Sequence, residues 1–396
     1  MAIKQVCDYS YCTACYACMA VCPKGAICHT INCLGEEIPT IDSSLCVECG
    51  RCISVCPANK NLPLKKAEFC YAGWSKSSDD QVKSSSGGIA AVLSRKTITD
   101  GGIVYGSISK DAKIFHERID TSEGLELLRG SKYVKSDTRN CYQKIRKDLK
   151  SGKKVLFIGT PCQVAGVKMY VGNAGDNLLT VDLICHGTPP FSYLKEYLDK
   201  KCASGIEHKK WDTVSFRSPK TYLIEAKRNG KSVYHKEIQN DLYLAAFLKG
   251  LILRSNCYRC VYSCPERIGD ITIGDFWGLD RKKLNVSYNG KISVILPNTE
   301  KGSAFLEECS ELINLFKLSI EDALNPEQGN LLHPSVPHDE RQVFERLYPR
   351  YGFIKALKGT DFGAQIEKKE QQKMIKNSIT YRTIKKVYHI GKRIIK

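Results

Sequence analysis

Two nearly identical cysteine runs at the start of the chain constrain its fold more than any other feature. The first run reads CxxCxxCxxxCP over residues 12–23, and the second repeats the same spacing over residues 46–57. Cysteines in this run are thiolate ligands of [4Fe–4S] clusters. Two copies separated by a short hairpin-like segment therefore predict two [4Fe–4S] clusters in residues 1–62.

The last cysteine of each run is predicted to cross to the other cluster. Three closely spaced cysteines lie on one tight loop, so the fourth ligand must come from elsewhere, as in two-cluster bacterial ferredoxins. The predicted sets are Cys12, Cys15, Cys18 and Cys56 for the first cluster, and Cys46, Cys49, Cys52 and Cys22 for the second. Structural zinc is the alternative, but zinc sites use separate CxxC pairs. Residues 1–62 are thus expected to form an α+β ferredoxin module.

Cysteine usage and charge indicate a reduced, cytoplasmic protein. Most of the 20 cysteines fall into metal-ligand arrangements, which favours a reducing compartment over disulfides. We expect no signal peptide and no membrane span. The formal net charge is +18, and residues 368–396 hold ten Lys or Arg and one Glu. This balance suits an acidic redox partner, whereas no motif supports a nucleic-acid partner.

Beyond residue 66 the pattern changes to short β-branched runs that alternate with helical segments. The runs at 102–106, 155–159 and 178–184 are bounded by glycine or polar residues, as buried strands are. This alternation predicts a mixed α/β domain with a largely parallel sheet. The predicted segments are an N-terminal α/β domain over 67–190, a C-terminal domain over 191–355 and a basic helical tail over 360–396.

Further cysteines are expected at the carboxyl edge of this sheet. Cys162 and Cys185 each follow a predicted strand directly, and such positions line the functional crevice of an α/β sheet. A third source is the run Cys257-x2-Cys260-x3-Cys264-Pro. Ordinary buried thiols and a zinc site within this run are the alternatives. The cysteines without ligand spacing are interpreted as core or surface thiols: Cys7, Cys28, Cys33, Cys70, Cys141, Cys202 and Cys309.

Five motifs together resemble the coenzyme F-420 hydrogenase/dehydrogenase beta-subunit family. They are SSSGG at 84–88, LRGSKYV at 128–134, GTPCQ at 159–163, DLICHG at 182–187 and DITIGDFWG at 270–278. The resemblance implies an FAD-containing iron–sulfur oxidoreductase with a cluster near the flavin. For this third [4Fe–4S] cluster we propose the ligands Cys162, Cys185, Cys257 and Cys260, with Cys264 as a competitor for one position.

The same motifs contain the residues expected to bind FAD. Glycines and serines before a helix let an anion approach free backbone amides. The expected residues are Ser84, Ser85, Ser86, Gly87, Gly88, Gly130, Ser131, Lys132, Tyr133, Gly159, Thr160, Asp275 and Phe276. The alternatives are a helix N-cap without ligand, core packing of Tyr133 and a turn-capping role for Asp275. NAD(P)H is disfavoured as a direct donor because a GxGxxG fingerprint is lacking.

Two further side chains are candidates for roles near the acceptor. His186 is the candidate catalytic proton donor, because imidazole titrates near neutral pH; a structural histidine is the alternative. Arg217 either holds an acidic substrate group or is an exposed arginine at a strand end.

The tail carries apolar residues at helical spacing among lysines and arginines over residues 373–396. A basic amphipathic helix of this kind lies on an anionic membrane surface, docks on a partner or remains solvated. A peripheral contact with the inner membrane face is therefore one expectation for an otherwise cytoplasmic protein.

Together these features predict an electron relay. A low-potential electron donor or redox protein feeds the clusters, and FAD passes electrons to a two-electron acceptor, either a deazaflavin-like coenzyme or another small molecule. The alternatives are an electron-transfer subunit of a larger redox complex without its own substrate, and an iron–sulfur sensor.

Overall fold

Helices and strands alternate along most of the chain. The structure, a computed structural model, describes residues 3–172, 177–203, 210–218 and 221–377. The helices are α1 (Ala17–Val21), α2 (Arg51–Ser54), α3 (Ser78–Lys83), α4 (Ile89–Thr99), α5 (Tyr142–Lys150), α6 (Pro161–Val171), α7 (Phe191–Lys201), α8 (Leu242–Leu248), α9 (Glu300–Glu308), α10 (Ile320–Ala323), α11 (Arg341–Lys358) and α12 (Asp361–Asn377). The strands are β1 (Ile27–Ile31), β2 (Glu37–Ile41), β3 (Phe69–Ser75), β4 (Ile103–Lys110), β5 (Lys113–Ile119), β6 (Val155–Gly159), β7 (Leu178–Leu183), β8 (Thr213–Arg217), β9 (Tyr222–Arg228), β10 (Lys231–Glu237), β11 (Ile271–Asp275), β12 (Ser293–Pro297) and β13 (Ile313–Ser319).

The N-terminal module consists of two short helices and a hairpin. β1 and β2 pair antiparallel, with Ile27 opposite Ile41, and this hairpin separates the two cysteine runs. Cys18 lies in α1 and Cys52 in α2, so each helix begins within a run. The arrangement is consistent with the predicted α+β ferredoxin module.

One sheet of eight strands organises the rest of the chain, in the order β13-β3-β12-β11-β7-β6-β4-β5. The central strands β11, β7, β6 and β4 are parallel. β5 on one side and β12, β3 and β13 on the other add antiparallel. The predicted parallel sheet is therefore confirmed for the central strands, while both edges differ from it.

Local connections explain part of this difference. β4 and β5 are joined by Asp111 and Ala112, both with positive φ, and two-residue turns of this kind join antiparallel strands. The sheet also takes strands from both sides of the boundary predicted at residues 190 and 191, because β3 to β7 precede it and β11 to β13 follow it.

Helices cover both faces of the sheet. β6 and β7 are buried along nearly their whole length, as expected for parallel strands with helices on both sides. One apolar cluster joins β6 to α5 and α6, and another joins it to α4 and α9. The carboxyl ends of β6, β7 and β11 are thereby left at one edge, where the predicted site residues follow them.

The ferredoxin module packs against α5 and α6. The carbonyl of Cys15 accepts hydrogen bonds from Thr138 Oγ1 at 3.0 Å and from the hydroxyl of Tyr142. A Cβ atom on Gly166 of α6 would lie 2.9 Å from Cys15 Cβ. Because these contacts leave little space between the two parts, the first cysteine run packs directly against the α/β domain.

The C-terminal part adds a small antiparallel sheet, β10-β9-β8, which shares an apolar core with α7, α8 and α11. Ile366 of α12 is buried in the same core. Most of the basic helix predicted over 373–396 lies outside the described residues. Within the ranges that the structure describes, no helix combines the length and apolarity needed to cross a membrane.

Candidate redox centres

Strained backbone marks the loops of both cysteine runs. Ala14 and Tyr16 in the first run and Glu48 in the second have positive φ, of 48°, 67° and 53°. Gly50, which corresponds to Tyr16, has φ of 71°. Left-handed conformations are unfavourable for side chains other than glycine and concentrate at functional sites. Here they turn the chain tightly between successive cysteines.

The cysteines of the first predicted set line one cavity. Cys12, Cys15, Cys18 and Cys56 surround it, so the last cysteine of the second run does reach the first run. Burial raises the pKa of Cys15 to about 12. The neighbouring Cys7 thiol lowers the pKa of Cys12. Cys7, which we interpreted from the sequence as an ordinary thiol, lines the same cavity.

The second predicted set lines a cavity nearer to the surface. Cys22, Cys46, Cys49 and Cys52 surround it, and Cys49 is exposed. The neighbouring side chains of Leu45 and Val47 are 50% and 55% exposed. The two cavities therefore differ in their exposure to solvent, because the first faces the α/β domain and the second faces the surface.

A buried cation lies beside the first set. Arg254 is 2% exposed and donates to the carbonyls of Cys12 and Glu37, both at 3.2 Å. Together with Lys135, its charge favours the thiolate of Cys12. Hydrogen bonds and charges of this kind tune the potential of a cluster.

The third predicted set also comes together. Burial, followed by repulsion from Cys257 and Cys162, raises the pKa of Cys185. Burial raises the pKa of Cys257 to about 11, and repulsion from Cys260 and Cys162 adds to this shift. The raised pKa values of Cys185, Cys257 and Cys260 mean that their thiolates form readily only when a cation binds them. Iron fits this donor set, since thiolates are the ligands of iron–sulfur clusters.

Backbone amides already point at these sulfurs. Gly187 N–H donates to Cys185 Sγ at 3.3 Å, and Thr188 N–H donates to Cys257 Sγ at 3.4 Å. A Cβ on Gly187 would lie 2.7 Å from Leu253 Cδ1 and 3.2 Å from Cys257 Cβ. Glycine at this position therefore lets the chain after β7 approach the Cys257 segment.

Lys135 is the strongest sign that negative charge belongs at the third set. Its side chain is 5% exposed, and its Nζ donates to Cys162 Sγ at 3.9 Å. Within the described residues no carboxylate pairs with it. An anion beside a buried lysine stabilises the charged side chain. A [4Fe–4S] cluster with four thiolates carries about −2 and would supply the missing charge.

Cys264 lies apart from this set. Its thiol donates to the carbonyls of Glu266 at 3.1 Å and Val261 at 3.5 Å. The charges that act on it come from Arg267, Glu266 and Asp182 rather than from a cysteine. The geometry therefore favours Cys260 over its competitor.

Tyr262 lies between the first and third sets. It is buried, and burial followed by repulsion from Cys162, Cys15, Cys260 and Cys56 raises its pKa. One side chain is thus close to cysteines of both sets.

The structure brings together most of the segments expected at the flavin. Ser131 N–H donates to Ser85 Oγ at 2.9 Å, which joins the SSSGG and GSKY segments. Arg217 forms an ion pair with Asp275 at 2.6 Å and donates to the carbonyl of Ser85. Residues from four separate parts of the chain therefore meet at the ends of β8 and β11.

Two cations lie among these residues, which we call the Arg217 cluster. The Nε of Arg217 is buried and has no hydrogen-bond partner among the described residues. Lys291, which no sequence motif singled out, donates to the carbonyl of Ser84 at 2.7 Å. Burial, with repulsion from Arg217 added, lowers the pKa of Lys291. A bound diphosphate would satisfy Arg217 and offset the repulsion between the two cations.

The glycines of SSSGG also have structural reasons to be glycine. Gly88 is the N-cap of α4 with φ of 84°. A Cβ on Gly87 would meet the carbonyl oxygen of Gly73 and lie 3.0 Å from Ser293 N. Ser86 Oγ is 2.9 Å from Ser293 Oγ. The turn is therefore held against β3 and β12 with or without a ligand.

Lys132 and Tyr133 make protein contacts where the sequence suggested ligand contacts. Lys132 Nζ donates to the carbonyls of Arg129 at 2.9 Å and Leu128 at 3.1 Å, and burial lowers its pKa to about 7. The ring of Tyr133 stacks on Phe247 with centroids 4.9 Å apart. These contacts match the packing alternative stated for Tyr133.

The remaining residues predicted to bind the cofactor lie in different parts of the structure. Thr160 is the N-cap of α6 directly after Gly159, and its Oγ1 lies 3.2 Å from Cys162 Sγ. The pair therefore borders the third cysteine set. Phe276 is buried in the core near β12, while Gly130 is exposed beside Ser131.

His186 has protein partners at both ring nitrogens. Its Nε2 lies 3.2 Å from the carbonyl of Phe247, and its Nδ1 lies 3.3 Å from Ser335 Oγ. Burial lowers its pKa. These contacts match the structural alternative stated for His186. A proton on Nε2 would be donated to the carbonyl of Phe247, which is a contact within the protein.

Aromatic contacts connect the third set to the Arg217 cluster. His186 follows Cys185 and meets the ring of Phe247 at 5.3 Å. Tyr133 stacks on Phe247 and lies 6.1 Å from the ring of Tyr222. The guanidinium of Arg217 lies 4.1 Å above the Tyr222 ring. The packed rings thus form one continuous path.

No group of three or more His, Cys, Asp or Glu side chains in the described ranges could hold a metal ion. A four-iron cluster needs a different arrangement, because its thiolates surround the whole cluster instead of meeting at a single ion. The two cavities lined by the first and second cysteine sets have this arrangement.

Comparison with protein families identifies three segments. Residues 12–26 and 39–59 each match a 4Fe-4S binding domain. Residues 152–319 match the C-terminal part of the beta subunit in coenzyme F420 hydrogenase/dehydrogenase. The chain is therefore an iron–sulfur electron-transfer protein. Residues 152–319 are thus similar to the coenzyme F420 hydrogenase/dehydrogenase beta-subunit family, which confirms the resemblance inferred from the motifs for that segment.

Among solved structures, a similar chain comes from the F420-reducing [NiFe] hydrogenase complex of Methanosarcina barkeri, determined in a xenon-derivatization study. The two chains are 17% identical, and the match covers 67% of this chain and 91% of that chain with a TM-score of 0.44. No curated protein was found to match.

Proposed function

We propose that this protein is an FAD- and iron–sulfur-dependent oxidoreductase. It carries electrons from a low-potential donor through three [4Fe–4S] clusters to FAD and on to a two-electron acceptor. The observation that best supports this proposal is the position of the third cysteine set. It shares Tyr262 with the first set and connects through Phe247 and Tyr133 to the Arg217 cluster.

The chain's own residues hold and shield the redox groups. Bound clusters supply one-electron transfer, and a bound flavin couples one- and two-electron steps. The first set is closed off by Tyr142 and Arg254, which donate to backbone carbonyls of its loop. Burial of this kind excludes water from the sulfurs and sets their potentials.

The FAD diphosphate is assigned to the cluster formed by Ser84–Gly88, Ser131, Arg217 and Lys291. Asp275 orients Arg217 through their ion pair at 2.6 Å. The α4 N-terminus, whose cap is Gly88, offers free backbone amides to an anion. The two cations and these amides give the site the positive potential that a diphosphate needs.

The donor is proposed to dock over the second cysteine set. Cys49, Leu45 and Val47 are exposed there, and Lys24 and Arg51 line the cavity. An apolar centre with cations at its rim suits an acidic, low-potential redox protein. The acceptor is proposed to be a deazaflavin-like coenzyme or another small molecule, as the family implies.

Cofactor analysis of anaerobically purified protein tests the proposal. We expect about twelve irons, a matching amount of sulfide and about one flavin per chain. About eight irons would contradict the third cluster, and a protein without flavin would contradict the flavoprotein assignment. Steady reductase activity of the isolated chain would exclude the alternative of a subunit without its own substrate.

Replacing Lys135 by methionine is expected to shift the potentials of the first and third clusters to more negative values. Reduction adds a negative charge to a cluster, and the buried ammonium beside Cys162 stabilises the reduced form. An EPR-monitored redox titration measures both potentials. Lys135→Arg keeps the charge and should stay near the wild type. Unchanged potentials in iron-replete Lys135→Met would show that the charge is not coupled to the clusters.

Replacing Arg217 by glutamine is expected to weaken flavin binding by roughly 10- to 100-fold, because a hydrogen bond to a charged group contributes about 1.5–3 kcal/mol. The dissociation constant is measured by titrating FAD into deflavinated protein. Arg139, an exposed arginine paired with Asp137 at 2.5 Å, provides the control Arg139→Gln. Equal affinities of the two variants would argue against the assigned diphosphate site.

A further inference from the structure

Cys7 is a fifth cysteine at the buried ferredoxin cavity. It is 6% exposed and lines the same cavity as Cys12, Cys15, Cys18 and Cys56. Its side chain shares the wall of this cavity with Cys12 and Cys56. A [4Fe–4S] cluster takes four thiolates, so this cavity has one more than it needs.

Local structure holds Cys7 at this place. Asp8 caps a single 3-10 turn over Tyr9–Tyr11, with its Oδ1 accepting from Ser10 N–H at 2.8 Å. The turn folds Cys7 back toward Cys12. The side chain of Asn59 donates to the carbonyl of Val6 at 2.9 Å, so the segment before Cys7 is tied to the segment after Cys56.

The second cavity has no such addition. Among the described residues that line it, the cysteines are Cys22, Cys46, Cys49 and Cys52. The two otherwise matching cluster sites therefore differ by one thiol, which provides an internal control.

We propose that Cys7 is a reserve ligand of the buried cluster, able to replace Cys12 or Cys56 at iron. In the exchange, the iron–sulfur bond to Cys56 is lost and one to Cys7 forms. The proton that Cys7 releases passes to the displaced sulfur, or to solvent where no sulfur remains, and no electrons are transferred. While all four ligands are in place, Cys7 remains an unbound thiol at the cavity wall. The inference depends on the ferredoxin clusters alone and not on the flavin.

Iron content of alanine variants of the full chain tests this proposal after anaerobic reconstitution. Cys56→Ala is expected to keep the wild-type iron content, because Cys7 takes the vacant position. Cys7→Ala alone should also keep it. The double variant Cys7→Ala/Cys56→Ala should lose about four irons. Cys22→Ala, at the cavity without a fifth thiol, should lose about four irons with Cys7 present.

Two outcomes would overturn the proposal. One is a loss of about four irons in Cys56→Ala itself, as in Cys22→Ala. The other is full iron in the double variant, since another group would then be the replacement. If Cys56→Ala does not fold, Cys12→Ala and its double variant with Cys7→Ala carry the same expectations. The EPR spectrum of the reduced protein gives a second readout, because a changed ligand alters the signal of the buried cluster.

Discussion

Replacing Cys162 by serine is expected to remove about four irons per chain. Cys162 lies in the first turn of α6, shortly after β6. Its sulfur is 3.2 Å from Thr160 Oγ1 and 3.9 Å from Lys135 Nζ. A serine oxygen is a harder ligand than a thiolate and holds an iron–sulfur cluster poorly. Only Cys185 and the Cys257 segment would remain, so the third site would lack one corner. Iron and acid-labile sulfide analysis measures the loss.

The matched control is Cys264→Ser, in the same segment as Cys257 and Cys260. The Cys264 thiol is engaged with the carbonyls of Glu266 and Val261, so serine there should leave the iron content unchanged. A loss of equal size in both variants would point to general damage of the segment. Full iron in Cys162→Ser would contradict the proposed ligand set. The EPR signals of the ferredoxin clusters should persist in either variant.

Local sequence patterns predicted the central strands well. The run 155–159 coincides with β6, and the run 178–184 covers β7. Both have a regular apolar pattern bounded by glycine or polar residues, which is a local signal. The antiparallel edge formed by β3 and β13 was not predictable in this way, since the strands are far apart in sequence and local patterns do not specify pairing.

The candidate site shows the same distinction. Spacing within each cysteine run pointed to the predicted sets, because the geometry of a cluster fixes that spacing. Lys135, Lys291 and Cys7 were missed for the opposite reason. Each is a single residue in a chain rich in lysine and cysteine, and only the tertiary structure brings it to a site. Tyr133 illustrates the converse, because its motif suggested a cofactor whereas its ring packs on Phe247.

A buried ion pair joins the two halves of the third cysteine set. Arg267 and Asp182 are 1% and 0% exposed, and their side chains are 3.2 Å apart. Asp182 lies on β7 shortly before Cys185. Arg267 donates to the carbonyl of Tyr262 at 2.6 Å, which fixes the segment that carries Cys257 and Cys260. The pair therefore supports the geometry of the site without being a ligand.

Replacing Arg267 by methionine is expected to lower the free energy of unfolding by about 3–5 kcal/mol, because the charge of Asp182 would remain buried without its partner. The double variant Arg267→Met/Asp182→Leu should recover part of this loss, since it buries no charge. The ion pair between exposed Arg139 and half-buried Asp137 provides the control. Arg139→Met should lower stability by less than about 1 kcal/mol. Urea unfolding of anaerobic protein, followed by circular dichroism, measures all three variants. If Arg267→Met were no less stable than Arg139→Met, the ion pair could not be the element that holds the two halves of the third set together.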